Sequence, residues 1–186
     1  MNRKIIQRVP QCFFGLFLCG VGLAFTIEAK LGLNPWDVFY DGFSKLINVR
    51  IGFAGVITGF IVLLGWIPLK QKPFLGTILN ILTIGNVLDL TMYFIPTPES
   101  IIMRHGYLYF GTVLFAMGVG IYIGSGLGHG PRDGIMTGIA KRGPSVRVTR
   151  IAIDFTAFVS GVLLGGSYGY GTIFMVIIVG PIVQFS

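Results

Sequence analysis

The chain has 186 residues, of which 53% are hydrophobic and 11% are charged, and its mean hydropathy is +0.80. A soluble domain carries about 25% charged residues, so this composition excludes most soluble classes of protein. The apolar content also excludes a disordered chain, and a count of two cysteines excludes a secreted domain held together by disulfides. The composition therefore predicts a single compact membrane domain with no soluble domain.

Long apolar stretches follow one another along the whole chain. A bilayer core about 30 Å thick needs roughly 20 apolar residues per helix. Six stretches approach that length, and they cover residues 9–29, 53–69, 74–95, 107–125, 149–165 and 169–185. Basic residues precede the first stretch, as in a signal peptide, but no convincing cleavage site follows it. We therefore predict six membrane spans, of which the first stays uncleaved.

Two shorter helices are predicted between these spans, at residues 35–47 and 131–142. They open with Pro35 and Pro131, and proline is favoured at the first helical position because it lacks an N–H. A glycine-rich break precedes each of them. The second helix would cover about 18 Å at 1.5 Å per residue, which is too short to cross a bilayer alone. The sequence thus predicts broken helices inside the membrane.

An internal repeat relates the two halves of the chain at an offset of 96 residues. At that offset 11 of the 32 positions from 14 to 45 are identical, and they include glycine, proline, aspartate and lysine. Chance similarity between apolar stretches would not keep those four residue types in register. We predict an all-α polytopic membrane protein built from two tandem repeats, residues 1–95 and 106–186. Each repeat has three long transmembrane helices and one short broken helix after a Gly-rich break.

Two topologies are compatible with such a repeat. If the short helix continues across the membrane, the repeats are parallel; if it turns back, each repeat has three crossings and the repeats are inverted. The loop after the short helix is basic in both halves, with Lys45 and Arg50 in the first and Lys141 and Arg147 in the second. Equivalent loops with a shared basic bias should lie on one side, so parallel repeats are favoured. The expected location is the bacterial cytoplasmic (inner) membrane, with a cytoplasmic N-terminus.

Polar residues at the two short helices form the predicted site. Irregular backbone at membrane depth is tolerated only where protein or water covers it, and free N–H groups at a helix start favour an anion. Charged residues inside spans are functional hypotheses by default. An alternative interpretation is a first-turn carboxylate and an interfacial lysine with no ligand. The predicted substrate-binding residues are Asn34, Asp37, Asp41, His129, Arg132 and Asp133.

The sequence offers no motif for other chemistry. It has no Walker or dinucleotide fingerprint, no Cys/His set with metal-ligand spacing and no catalytic constellation. Its basic residues are spread over loops, which does not favour nucleic-acid binding. We therefore expect no enzyme, no catalytic residues, no cofactor and no metal. The expected partners are the lipid bilayer and an unknown small molecule, and a homodimer fits the small size.

Several of these motifs together are similar to a known family. Leu31–Asp37, Gly42–Lys45, Gly76–Ile78 and Gly126–Gly134 resemble the YczE/YitT group of bacterial integral membrane proteins, and the match is closest to its YczE side. The resemblance covers essentially the whole chain. It implies a bacterial membrane location and a doubled architecture, and it supplies no catalytic or binding residues.

Two functions are compatible with these features. The first is a permease or exporter of a small polar or anionic molecule, with the site between the two short helices. The second is a non-transporting accessory or regulatory membrane protein, which would fit the small size and the small-residue helix surfaces. A polar cavity between the short helices would favour transport. A packed interior with an apolar lateral groove would favour the accessory function.

Overall fold

The computed structural model describes residues 3–185, and within them it contains eight α-helices and no strand. The all-α prediction is therefore confirmed. The helices are α1 (Arg3–Glu28), α2 (Pro35–Ile47), α3 (Ile51–Leu64), α4 (Leu75–Phe94), α5 (Ile101–Gly124), α6 (Pro131–Ala140), α7 (Val146–Leu163) and α8 (Tyr170–Phe185).

Three helices of the described chain are long and apolar enough to cross a membrane, in α1, α4 and α5. The bent pair of α2 and α3 would make a fourth span if it counted as one. The prediction of six spans is thus confirmed only for these three. Of the others, α3 has 14 residues, α7 includes Arg147, Arg150 and Asp154, and the apolar part of α8 is shorter, Tyr170–Val179.

Glycines bring α1 and α5 into contact at the centre of the molecule. Gly15 faces Gly118 and Gly22 faces Gly111, and a Cβ added at Gly15 or Gly22 would lie 2.7 Å from the opposite carbonyl oxygen. Small residues at helix crossings are typical of membrane proteins, because close backbone packing holds the helices together. Residue numbers rise along one helix as they fall along the other. The two helices are therefore antiparallel.

This crossing corrects the expected repeat orientation. Parallel repeats require α1 and α5, the first helices of the two halves, to point the same way, so that preference is wrong for this pair. The argument from basic loops fails because two of its residues have local partners. Lys45 donates to Asp41 at 2.8 Å, and Arg50 lies 3.9 Å from Asp89. Their charges thus serve helix packing as well as orientation.

The helix α2 begins beside the middle of α7 and ends beyond the end of α7. Near its start the Trp36 indole donates to Asp154 at 2.9 Å, and at its end Lys45 donates to the hydroxyl of Ser167 at 3.1 Å. The following helix α3 leaves at an angle of 104° and packs antiparallel to α4, with Gly52 facing Gly85. The segment before α2 therefore enters the bundle, and α2 leads the chain back out of it.

The helix α6 repeats this course at the opposite end of the bundle. Its Gly134 packs on Trp66 and its Gly138 on Leu69, in the turns that follow α3. Those turns lead directly into the start of α4. The two short helices therefore begin inside the molecule and point to opposite ends, which positions their first turns for a common site.

Candidate functional site

The segments that lead into α2 and α6 have the same unusual backbone. Lys30 and Gly126 have φ values of +53° and +66°, and Gly32 and Gly128 have +124° and +120°. The last two values lie where side chains are disfavoured, so glycine is required there. Each segment is also anchored to the start of a long helix. Gly171 of α8 donates to the Leu31 carbonyl, and Gly76 of α4 donates to the Leu127 carbonyl, both at 2.8 Å.

A cavity lies where the first turns of α2 and α6 approach each other. Its volume is about 110 Å³. Side chains from α1, α3, α4 and α5 close it, most of them apolar. Polar and charged groups gather where the two short helices begin, and they comprise Asn34, Asp37, Tyr40, Asn80, Tyr122, Arg132 and Asp133.

Asp37 is the most unusual of these groups. It lies in the first turn of α2 and is 2% exposed, and its Oδ2 has no hydrogen-bond partner among the described residues. The hydroxyl of Tyr122, which is 3% exposed, also has none. Buried polar groups are almost always paired, because an unpaired one keeps its desolvation cost. Both of these atoms border the same cavity.

Arg132 and Asp133 form the opposite wall at the start of α6. The Arg132 Nε lies 4.0 Å from the Asp133 Oδ1, and both side chains are about one-third exposed. Both residues also border a much smaller cavity of about 10 Å³, which Arg150 and Asp154 line on α7. The Arg132–Asp133 pair thus lies between the two cavities.

Neither short helix has a side-chain cap at its start. The N-cap residues are Asn34, whose side chain accepts no hydrogen bond from the first turn, and Gly130, which has no side chain to do so. The first N–H groups of a helix have no partner within the helix, and the aligned peptide dipoles give this end about half a positive charge. Both uncapped starts line the cavity. They therefore offer donors to a ligand from two directions.

Four of the six predicted site residues lie together on the cavity: Asn34, Asp37, Arg132 and Asp133. Asp41 does not line it, because its carboxylate accepts from Lys45 at 2.8 Å and from the Ser167 backbone N–H at 2.7 Å. The first bond lies within α2, and the second fastens α2 to the segment between α7 and α8. Ligand binding by the four grouped residues stays a prediction.

His129 does not line the cavity either. Its side chain is exposed, and its carbonyl oxygen accepts from the Thr77 hydroxyl at 2.8 Å. Through this hydrogen bond, the residue holds the irregular segment before α6 against α4.

Three residues that line the cavity were not among the predicted site residues. They are Tyr40, Asn80 and Tyr122. Tyr40 follows Asp37 by three positions, and that spacing places both on one face of α2, so its role could have been found. Asn80 is a polar residue within an apolar span, which was a weaker signal. Tyr122 lies in an uncharged stretch and gave no signal, because only the crossing of α1 and α5 brings it to the cavity.

Residues 6–186 match DUF6198, a family of unknown function. The chain belongs to this family. It is 35% identical to an uncharacterized protein of Haemophilus influenzae, over 96% of this chain and 83% of the relative. It is also 32% identical to the uncharacterized membrane protein YczE of Bacillus subtilis, over 100% of this chain and 88% of YczE. No solved structure matches the chain.

These relations confirm the resemblance to YczE drawn from the motifs. A membrane protein among the relatives and several apolar helices in the fold identify this DUF6198 member as a membrane protein. Among its described residues, no group of three or more His, Cys, Asp or Glu side chains could hold a metal ion.

Proposed function

We propose that this DUF6198 member is a transporter that moves a small polar molecule across the membrane, with the cavity between α2 and α6 as its binding site. The observation that carries the proposal is the unpartnered Oδ2 of Asp37, which is buried and lines that cavity. Intramembrane ionisable groups are expensive, and they mark substrate or ion paths when they face a cavity. The proposal assigns the chain no enzymatic step.

The relation between the two halves supports this proposal. The antiparallel crossing of α1 and α5 and the matched breaks before α2 and α6 are those of repeats inverted with respect to the membrane. Transporters built from inverted repeats bind substrate near the midplane between broken helices, and one repeat then moves against the other. We propose this relation for residues 1–95 and 106–186.

The distribution of basic residues supports an orientation. Lys70, Lys72, Lys141 and Arg142 gather at the end of the bundle where α4 begins and α6 finishes. Cytoplasmic loops of membrane proteins carry an excess of lysine and arginine. In the proposed orientation this end, which is also where α1 begins, faces the cytoplasm of a bacterial inner membrane.

The cavity also helps to distinguish between the two candidate functions, transport and the accessory function. An accessory protein needs a surface for its partner, and it gains nothing from a buried carboxylate oxygen without a partner. The described interior is not fully packed, because the cavity joins both short helices and four longer ones. This observation favours transport.

A flux measurement tests the proposal. The purified protein is placed in liposomes and exposed to an isotope-labelled extract of bacterial metabolites, and the solutes that enter are identified by mass spectrometry. We expect at least one solute to accumulate above empty liposomes. Asp37→Asn should slow its entry by about tenfold or more, which corresponds to about 1.4 kcal/mol of lost interaction.

The matched control is Glu99→Gln, which removes a carboxylate from an exposed position in the segment between α4 and α5. It should leave the flux unchanged. An absence of accumulated solutes, or equal flux through the wild type and Asp37→Asn, would contradict the proposal.

A further inference from the structure

We infer that the ligand of this cavity is a small aminocarboxylate with an apolar body, a zwitterion in which an ammonium group contacts Asp37 and a carboxylate contacts Arg132 and the start of α6. The inference rests on the proposed function, whose site it shares. It assigns a chemical class to the transported molecule from the charges, donors and walls of the cavity.

The ammonium group of the inferred ligand is assigned from the surroundings of Asp37. Its Oδ2 is an acceptor without a donor, and Asn34 and Tyr40 are its polar neighbours on the same helix. An ammonium group brings three N–H donors and a positive charge, which a buried carboxylate needs. An uncharged hydroxyl would supply one hydrogen bond, whereas an ammonium group supplies several donors together with a charge opposite to that of the carboxylate.

The carboxylate group of the inferred ligand is assigned from the donors at the start of α6. Pro131 has no N–H, so the donors available there are the backbone N–H groups of Arg132 and Asp133, together with the Arg132 guanidinium. Arg132 faces Asp133 at 4.0 Å, which is too long for a direct hydrogen bond. Its guanidinium, with five N–H donors, keeps donors for a second carboxylate.

The charge balance of the cavity favours a ligand with no net charge. The lining holds two carboxylates, Asp37 and Asp133, and one guanidinium, Arg132. The two helix starts add about half a positive charge each, which brings the sum close to zero. A simple cation or a simple anion would upset this balance. A zwitterion matches it and satisfies both signs.

Apolar walls define the rest of the ligand. An ion or a sugar would leave its polar surface against side chains that cannot pair with it. A branched aliphatic or aromatic body would instead exclude water from these walls. The apolar lining residues include Leu23, Ile81, Ile84, Leu88, Phe115 and Val119.

Binding to three matched probes tests the inference. Leucine has both charged groups, isocaproate has the same apolar body without the amine, and isoamylamine has it without the carboxylate. Protein in lipid nanodiscs is titrated with each probe, and with valine, isoleucine and phenylalanine, and binding is followed by thermal shift and calorimetry. We expect at least one of the four amino acids to bind about tenfold or more tightly than either truncated probe, because each truncated probe leaves one charged group of the site without its partner.

Two variants assign the ends of the ligand. Asp37→Asn should abolish amino-acid and isoamylamine binding and leave isocaproate unchanged. Arg132→Lys should weaken amino-acid and isocaproate binding and leave isoamylamine unchanged, because lysine lacks the planar pair of donors. Glu99→Gln should bind every probe as the wild type does.

Several results would overturn the inference. They are isocaproate or isoamylamine binding as tightly as the amino acids, amino-acid binding that survives Asp37→Asn, and no binding of any amino acid. If the flux assay nonetheless shows an Asp37-dependent solute of another class, the transporter proposal stands and only the ligand class falls. If no solute enters the liposomes, both fall.

Discussion

Two aspartates of α2 lie four residues apart and have opposite environments. Asp37 is buried with an oxygen that has no partner, whereas Asp41 accepts from Lys45 and from the Ser167 backbone N–H. A buried polar atom without a partner costs about 1–3 kcal/mol, while a satisfied carboxylate at the end of a helix holds elements together. The same chemical change should therefore have opposite effects at the two positions.

We predict that Asp37→Asn leaves the free energy of unfolding unchanged or raises it by about 1–3 kcal/mol, because the amide removes an unpartnered buried charge. Asp41→Asn should lower it by about 1 kcal/mol, since it weakens the Lys45 contact within α2 and the Ser167 bond that fastens α2 to the segment after α7. Thermal unfolding of both variants in detergent compares them directly. A loss for Asp37→Asn as large as that for Asp41→Asn would indicate a structural role for Asp37 and would contradict its assignment to the site.

The residues of the site differ in how far the sequence could predict them. Asp37 and Asp133 could be found, because each follows a proline in the first turn of a helix and the pair recurs at the repeat offset. The role of Asp41 could not, since its partner Ser167 is 126 residues away along the chain. Spacing on one helix predicts a shared face, but it does not predict which face the rest of the fold covers.

The bounds of the short helices illustrate what local sequence determines. Residues 35–47 were predicted and α2 is Pro35–Ile47, because a proline starts the helix and Asn48, in a left-handed conformation, ends it. The prediction of 131–142 was close to α6, Pro131–Ala140. The helix ends before Gly143, whose φ of +134° begins the next turn.

Helix crossings depend on contacts between residues that are far apart in the sequence, so local patterns do not predict them. Glycines in apolar helices are typical of close packing, but they do not determine which glycine meets which. The pairing of Gly15 with Gly118 and of Gly22 with Gly111 sets the antiparallel direction. The antiparallel direction is the one that the proposed inverted halves require, and the count of basic residues could not supply it.

We predict that glycine is required at this crossing and is not required at an open position of the same helices such as Gly106. A Cβ at Gly22 would lie 2.5 Å from the Phe115 backbone nitrogen, so Gly22→Ala should lower stability by about 1–3 kcal/mol. Gly106 of α5 has nothing within 4 Å of its Cβ position, so Gly106→Ala should be neutral or stabilising by up to about 1 kcal/mol. Thermal unfolding of the two variants is the measurement. Equal losses would mean that α1 and α5 do not cross as described.

At the scale of the whole molecule, the central claim is that the two halves go into the membrane from opposite sides and that their short helices turn back toward a shared cavity. Composition alone placed the chain in a membrane, because few charges and long apolar runs admit little else. Composition could not predict the side of the membrane on which each loop lies. Only the contacts of α2 with α7 and of α6 with the turns after α3 make the short helices return.

One measurement tests this claim most directly. Arg50 and Arg147 lie at the starts of α3 and α7, both are exposed, and neither lines the cavity. Each is replaced by cysteine, Arg50→Cys and Arg147→Cys, in separate proteins whose buried Cys12 and Cys19 are changed to alanine. Intact cells are then treated with a membrane-impermeant thiol reagent before and after permeabilisation. The account predicts that the cysteine at position 50 reacts in intact cells and that the one at position 147 reacts only after permeabilisation. Reaction of both from the same side would contradict the inverted halves and, with them, the shared cavity.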